Sequence, residues 1–99
     1  MLINKKSIAR VAHKYLLIPE LEDDSCIEVI YAKRELDSKV QITIPRYATI
    51  SYLELKMFAR DIFSVGASHV VLIHTNDDGK IVLSFPKHSL KDKYYEQDV

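Results

Sequence analysis

Between Lys5 and Leu17 the apolar residues Ile8, Val11, Ala12, Tyr15 and Leu16 return at steps of three and four, the spacing of one face of a helix. Asn4 stands where a side-chain oxygen can accept a free N–H of the first turn. Pro19 disfavours helical geometry at the residue before it, so the helix is expected to end near Leu17 or Ile18. Lys6, Arg10, His13 and Lys14 gather on the opposite face. From Cys26 to Arg34 the period changes to two, with Ile27, Val29 and Tyr31 on one side and Glu28 on the other, the pattern of a half-buried strand. Leu36, Asp37 and Ser38 turn the chain into a second strand of the same kind, in which Val40, Ile42 and Ile44 alternate with Gln41 and Thr43 until Pro45 closes it.

A second helix is marked more sharply. Ser51 and Glu54 have the S-x-x-E spacing of a capping box, in which each side chain satisfies a backbone N–H of the other residue. Leu55, Phe58, Ala59 and Ile62 then form a buried stripe, Glu54, Lys56, Arg60 and Asp61 face water, and Gly66 is placed for a left-handed cap. A second hairpin follows, with strands over 68–75 and 80–85 joined through Asn76-Asp77-Asp78-Gly79. A three-residue loop of Asp77, Asp78 and Gly79, a type I turn followed by a left-handed glycine, puts Val71, Ile73 and Thr75 on the same face as Ile81, Leu83 and Phe85. A two-residue loop would turn Val70, Leu72 and His74 inward instead. Either register leaves the hairpin apolar on both sides, which predicts a central position in the sheet, double cover or a dimer surface.

These elements define an α+β fold of order α-β-β-α-β-β, a four-stranded, mainly antiparallel sheet with two helices packed on one face. Ninety-nine residues are enough for one core but not two, so residues 1–86 read as a single α+β domain. From Lys87 the composition turns polar and only Leu90, Tyr94, Tyr95 and Val99 interrupt it, which predicts a flexible C-terminal tail over 87–99.

Charge adds what periodicity does not show. The formal net charge is zero, yet the first nineteen residues hold Lys5, Lys6, Arg10 and Lys14 without a carboxylate, and the next five hold Glu20, Glu22, Asp23 and Asp24. Separation of this kind predicts a surface that attracts one sign of partner. At 47% hydrophobic and 28% charged the composition is that of an ordinary globular chain. No apolar run approaches the length of a bilayer span, and the lone Cys26 cannot staple the fold, so no membrane association and a reducing cytoplasm, of a cell or of an infected host cell, are expected.

The chemistry-bearing residues resolve into two candidate surfaces. Lys6, Arg10, His13 and Lys14 could sit on phosphates, giving salt-dependent nucleic-acid binding, although an overall isoelectric point near 6.9 is low for a dedicated nucleic-acid binder. Val70, Leu72, His74 and Val82 are the candidate partner or dimer surface on the second hairpin. His69 and His74 are five apart on one strand and point to opposite faces, and no C-x-x-C or H-x-x-x-H spacing exists, so no metal is expected and Cys26 reads as a small core residue. Glu54-Leu55-Lys56 has the E-x-K lettering of divalent-metal nucleases, but that tripeptide belongs on a strand and here falls in a helix, with Glu54 committed to the capping box. With two glycines in the chain no phosphate loop can form, and no serine sits in a nucleophile elbow. The reading is a small non-enzymatic adaptor, regulator or inhibitor without a cofactor, docking a protein partner and self-associating as a homodimer, of the sort common among accessory proteins of viruses and plasmids. The alternatives are a nucleic-acid-binding regulator acting through the first helix and a divalent-metal nuclease.

Overall fold

Asn4 opens the first helix in the computed structural model, which describes residues 2–64 and 71–96; its side-chain oxygen accepts the Ser7 N–H at 3.1 Å. This helix, α1 (Lys5–Leu16), buries Ile8, Ala9, Ala12 and Leu16. It ends at Leu17, which takes the left-handed conformation at φ 53° and donates its N–H to the His13 carbonyl at 2.8 Å. That conformation brings Cβ close to the following carbonyl, which is why glycine is the usual residue there. The second helix, α2 (Tyr52–Ile62), has the reciprocal capping box. The Glu54 N–H donates to Ser51 Oγ at 3.1 Å and the Ser51 N–H to Glu54 Oε2 at 3.5 Å. Its buried residues are Phe58, Ala59 and Ile62, and Gly66 lies outside the described residues.

Four strands, β1 (Ile27–Ile30), β2 (Lys39–Ile44), β3 (Leu72–Thr75) and β4 (Ile81–Pro86), form an antiparallel sheet in the order β1-β2-β4-β3. Opposed residues share a face in an antiparallel ladder, so the register places Ile27, Val29, Val40, Ile42, Ile44, Ile81, Leu83 and Phe85 on one side. The buried residues of this face and of both helices belong to one core, closed by an edge-to-face contact of Phe63 and Phe85 with ring centroids 4.9 Å apart. The α+β class and the order of elements are those expected from the sequence.

The hairpin loop is the three-residue one. Gly79 has φ 78°, its N–H reaches the Asn76 carbonyl at 3.0 Å, and Asn76 Oδ1 accepts the N–H groups of Asp78 and Lys80. Ile73 accordingly faces Leu83, and Leu72 and His74 face Ser84 and Val82 on the outer side. The hairpin is not central as a unit. Only β4 is interior, because β2 pairs with it rather than with β3, and β3 is left at the edge.

Residues 87–96 depart most from expectation. They are folded against the domain in two 3₁₀ turns, Lys87–Ser89 and Asp92–Tyr94, with Lys87, Ser89, Leu90 and Tyr94 buried. Bridges join Leu90 to Phe63 and Tyr95 to Ile3, and the Asn4 N–H donates to the Tyr94 carbonyl at 2.7 Å. Lys87 Nζ pairs with Glu35 and lies 5.7 Å and 5.8 Å from the rings of Tyr31 and Tyr95. A 3₁₀ turn brings residues three apart onto one side, so the few apolar side chains of a polar stretch reach the core without producing a helix or strand period. Residues 97–99 lie outside the described residues. No helix among the described residues is long and apolar enough to cross a membrane.

Candidate interaction surfaces

The basic face of α1 is met by the acidic residues that follow it in sequence. Leu17 turns the chain back, and Lys6, Arg10 and His13 line one depression together with Glu22, Asp23 and Asp24. In its lining, His13 Nε2 stands 3.0 Å from Glu22 Oε1 and Nδ1 3.0 Å from the Ile18 carbonyl. Lys14 Nζ stands 5.2 Å from the centroid of the Tyr15 ring. The charge separation along the sequence is therefore largely cancelled in space. An anion approaching Lys6 and Arg10 also meets three carboxylates, and the local field is weaker than the basic residues alone imply.

The second candidate surface is divided by the fold. Leu72 and His74 are exposed on the outer side of β3, whereas Val82, on the same side, is buried on the interior strand between Thr43 of β2 and His74 of β3. Val82 is 4% exposed and presents no contact surface. Val70 and His69 lie outside the described residues. The strand also presents a residue that the outer-face reading missed, Ile73. It faces the helices yet is 56% exposed, beside Leu72 at 62%. All four residues of β3 are exposed, and among the described residues β3 pairs only with β4, at the edge of the sheet. The signal in the sequence was the run Leu72-Ile73, apolar on consecutive positions and hence on both faces.

A third cluster joins α1, α2 and the C-terminal segment. Asp61 accepts the hydroxyl of Tyr15 at 2.9 Å and that of Tyr94, and Lys93 Nζ stands 3.3 Å from its Oδ1. Burial works to raise the Asp61 pKa, but the hydrogen bonds from Tyr94, Tyr15 and Lys93 outweigh it and hold the carboxyl below its ordinary range. Burial and the Asp61 partner push the Tyr94 phenol well above its usual value. A carboxylate so fully engaged is a structural tie. Sequence periodicity had assigned Asp61 to water, and only its i+4 spacing from Met57 marked the α2 flank as less polar than a solvated face.

The remaining candidates fall singly. Cys26 is half-buried against the core, with its thiol pKa raised mainly by burial. His88 and His74 are exposed and on separate elements. Glu54 is on a helix and in its capping box. Among the described residues no three His, Cys, Asp or Glu side chains are grouped to hold a metal ion. Comparison with protein-family models, curated proteins and solved structures finds no significant match for the chain.

Proposed function

We propose that this protein is a non-catalytic docking module, an adaptor or regulator, that self-associates through the open edge of β3. The observation that carries the reading is the strand Leu72–Thr75, exposed along its whole length with large apolar residues on both faces. Edge strands of soluble proteins are usually blunted by lysine, proline or a bulge. Leu72, Ile73, His74 and Thr75 include neither lysine nor proline. A second copy related by a two-fold axis perpendicular to the sheet pairs β3 antiparallel to itself without bringing carboxylates or lysines of the strand together. With the axis at Ile73, each Ile73 meets its counterpart and each Leu72 meets the other copy's His74, so the outer and inner faces both continue across the joint.

Size sets the strength. A stable interface takes about 800 Å² from each partner, and a four-residue strand is only about 13 Å long. The joint is therefore reversible, with dissociation in the range of tens to hundreds of micromolar. Sedimentation equilibrium from about 10 to 500 µM is expected to show a mass rising from monomer towards dimer, insensitive to moderate salt. Ile73→Lys, at a position already more than half exposed, should restore the monomer with an unchanged circular dichroism spectrum. The double variant Lys6→Glu, Arg10→Glu should dimerise as the parent does. A single monomer mass across the whole range, or dimerisation lost in the Lys6, Arg10 variant and kept in Ile73→Lys, defeats the proposal.

A further inference from the structure

A second surface lies on the outward side of α2 and has a different chemistry from β3. Leu53 and Met57, one turn apart, are 65% and 44% exposed although α2 already buries a full stripe through Phe58, Ala59 and Ile62. Lys56 and Arg60 stand three residues on from each, on the same side of the helix. Beside them runs a groove of about 380 Å³ between α2 and the C-terminal segment, lined by Tyr15, Met57, Arg60, Asp61, Lys91 and Lys93.

The charge of this groove is one-sided. Among the described residues Asp61 is the only carboxylate in its lining, and its oxygens are taken by Tyr15, Tyr94 and Lys93. Lys91 Nζ is held by the Arg60 carbonyl at 2.9 Å, which brings its charge to the last turn of α2. Three cations against one carboxylate leave the described lining at net +2. Glu54 is drawn back to the start of the helix by its capping box. An isolated apolar pair bordered by uncompensated cations is matched by a surface with apolar anchors bordered by carboxylates.

We propose that the outward face of α2 and this groove dock an acidic segment of a partner protein, with apolar side chains seated on Leu53 and Met57 and carboxylates on Arg60, Lys91 and Lys56. The arginine fork takes a carboxylate through two parallel N–H bonds, and methionine adapts its shape to an incoming side chain. A nucleic-acid backbone would satisfy the cations but leave Leu53 and Met57 uncovered. A flat anionic membrane could not enter the groove. The surface is independent of β3, so it stands whether or not the protein self-associates.

The test uses a fluorescein-labelled synthetic peptide of about four helical turns with leucine along one face and glutamate elsewhere, titrated with the intact protein and followed by anisotropy. Saturable binding is expected, weakening with salt and falling about tenfold or more in Arg60→Glu and in Met57→Glu. Ile73→Lys should bind as the parent does. The same peptide with serine for leucine should bind about tenfold more weakly. Arg60→Gln, which removes the charge and keeps the backbone carbonyl that holds Lys91, gives an intermediate loss and guards against misfolding of the reversal. Equal binding of a lysine-for-glutamate peptide, equal binding of the serine peptide, or no binding of the leucine–glutamate peptide overturns the proposal. So does binding to phosphatidylserine vesicles or duplex DNA in preference to the peptide.

Discussion

Truncating Tyr94 tests whether the C-terminal segment belongs to the cooperative fold. Tyr94 is 2% exposed, and its hydroxyl donates to Asp61. Tyr94→Phe keeps the ring and removes one hydrogen bond to a charged acceptor, which costs about 1.5–3 kcal/mol at most, and less here because Tyr15 and Lys93 still hold Asp61. Tyr94→Ala adds a cavity where a large side chain was buried, and aromatic-to-alanine changes in a core cost about 3–5 kcal/mol. A domain of this size is stable by only about 5–15 kcal/mol, so the alanine variant should lower the thermal midpoint by roughly 15–30 °C. Urea unfolding of Tyr94→Phe, Asp61→Ala and the double variant completes a cycle, with an expected coupling of about 1 kcal/mol. A loss below about 1 kcal/mol for Tyr94→Ala would show that residues beyond Lys91 contribute nothing to the core, and the reasoning about the Asp61 tie would fall with it.

Two further outcomes follow from particular residues. Leu17→Gly should raise the urea midpoint, with a net gain of up to about 1 kcal/mol, because the left-handed strain of an exposed leucine exceeds the added freedom of glycine in the unfolded chain; a lowered midpoint would count against strain at the α1 terminus. The depressed pKa of Asp61 means that its contribution is present above the unfolded carboxyl value near pH 4 and is lost as pH falls through the lower folded value. The raised pKa of Tyr94 acts at the other end, contributing fully below about pH 10 and losing its contribution as pH rises further. Stability measured against pH should therefore fall at both limits, and Tyr94→Phe should flatten both; unchanged slopes in that variant would contradict the assignment.

The elements read most accurately from sequence are those set by contacts a few residues apart. Ser51 with Glu54, Asn4 with Ser7, and the Asp77-Asp78-Gly79 loop each need only near neighbours, and each has the expected geometry. The rest depends on partners distant in sequence. Leu90 and Tyr95 look isolated in a polar stretch until Phe63 and Ile3 are placed beside them. The charge of α1 looks uncompensated until Leu17 turns Glu22, Asp23 and Asp24 back onto it. Val82 and Leu72 share a face and a composition, and nothing local distinguishes the strand that is flanked from the one that is not. Strand order put Leu72 and Ile73 at the sheet edge, where both are exposed, and Val82 on an interior strand, where it is buried.

The backbone pairing of residues 2–4 with 94–96 has a consequence for biosynthesis. Residues 2–4 are synthesised long before residues 94–96, so Ile3 and the flank of α1 must wait for the intervening part of the domain before their neighbours exist. During that interval the nascent chain shows apolar surface that the finished protein covers, a window in which chaperones or proteases can act. A ribosome that stalls before Tyr94 releases a product lacking a phenol from the Asp61 tie, and such fragments should be cleared by quality control rather than persist as a shortened working form.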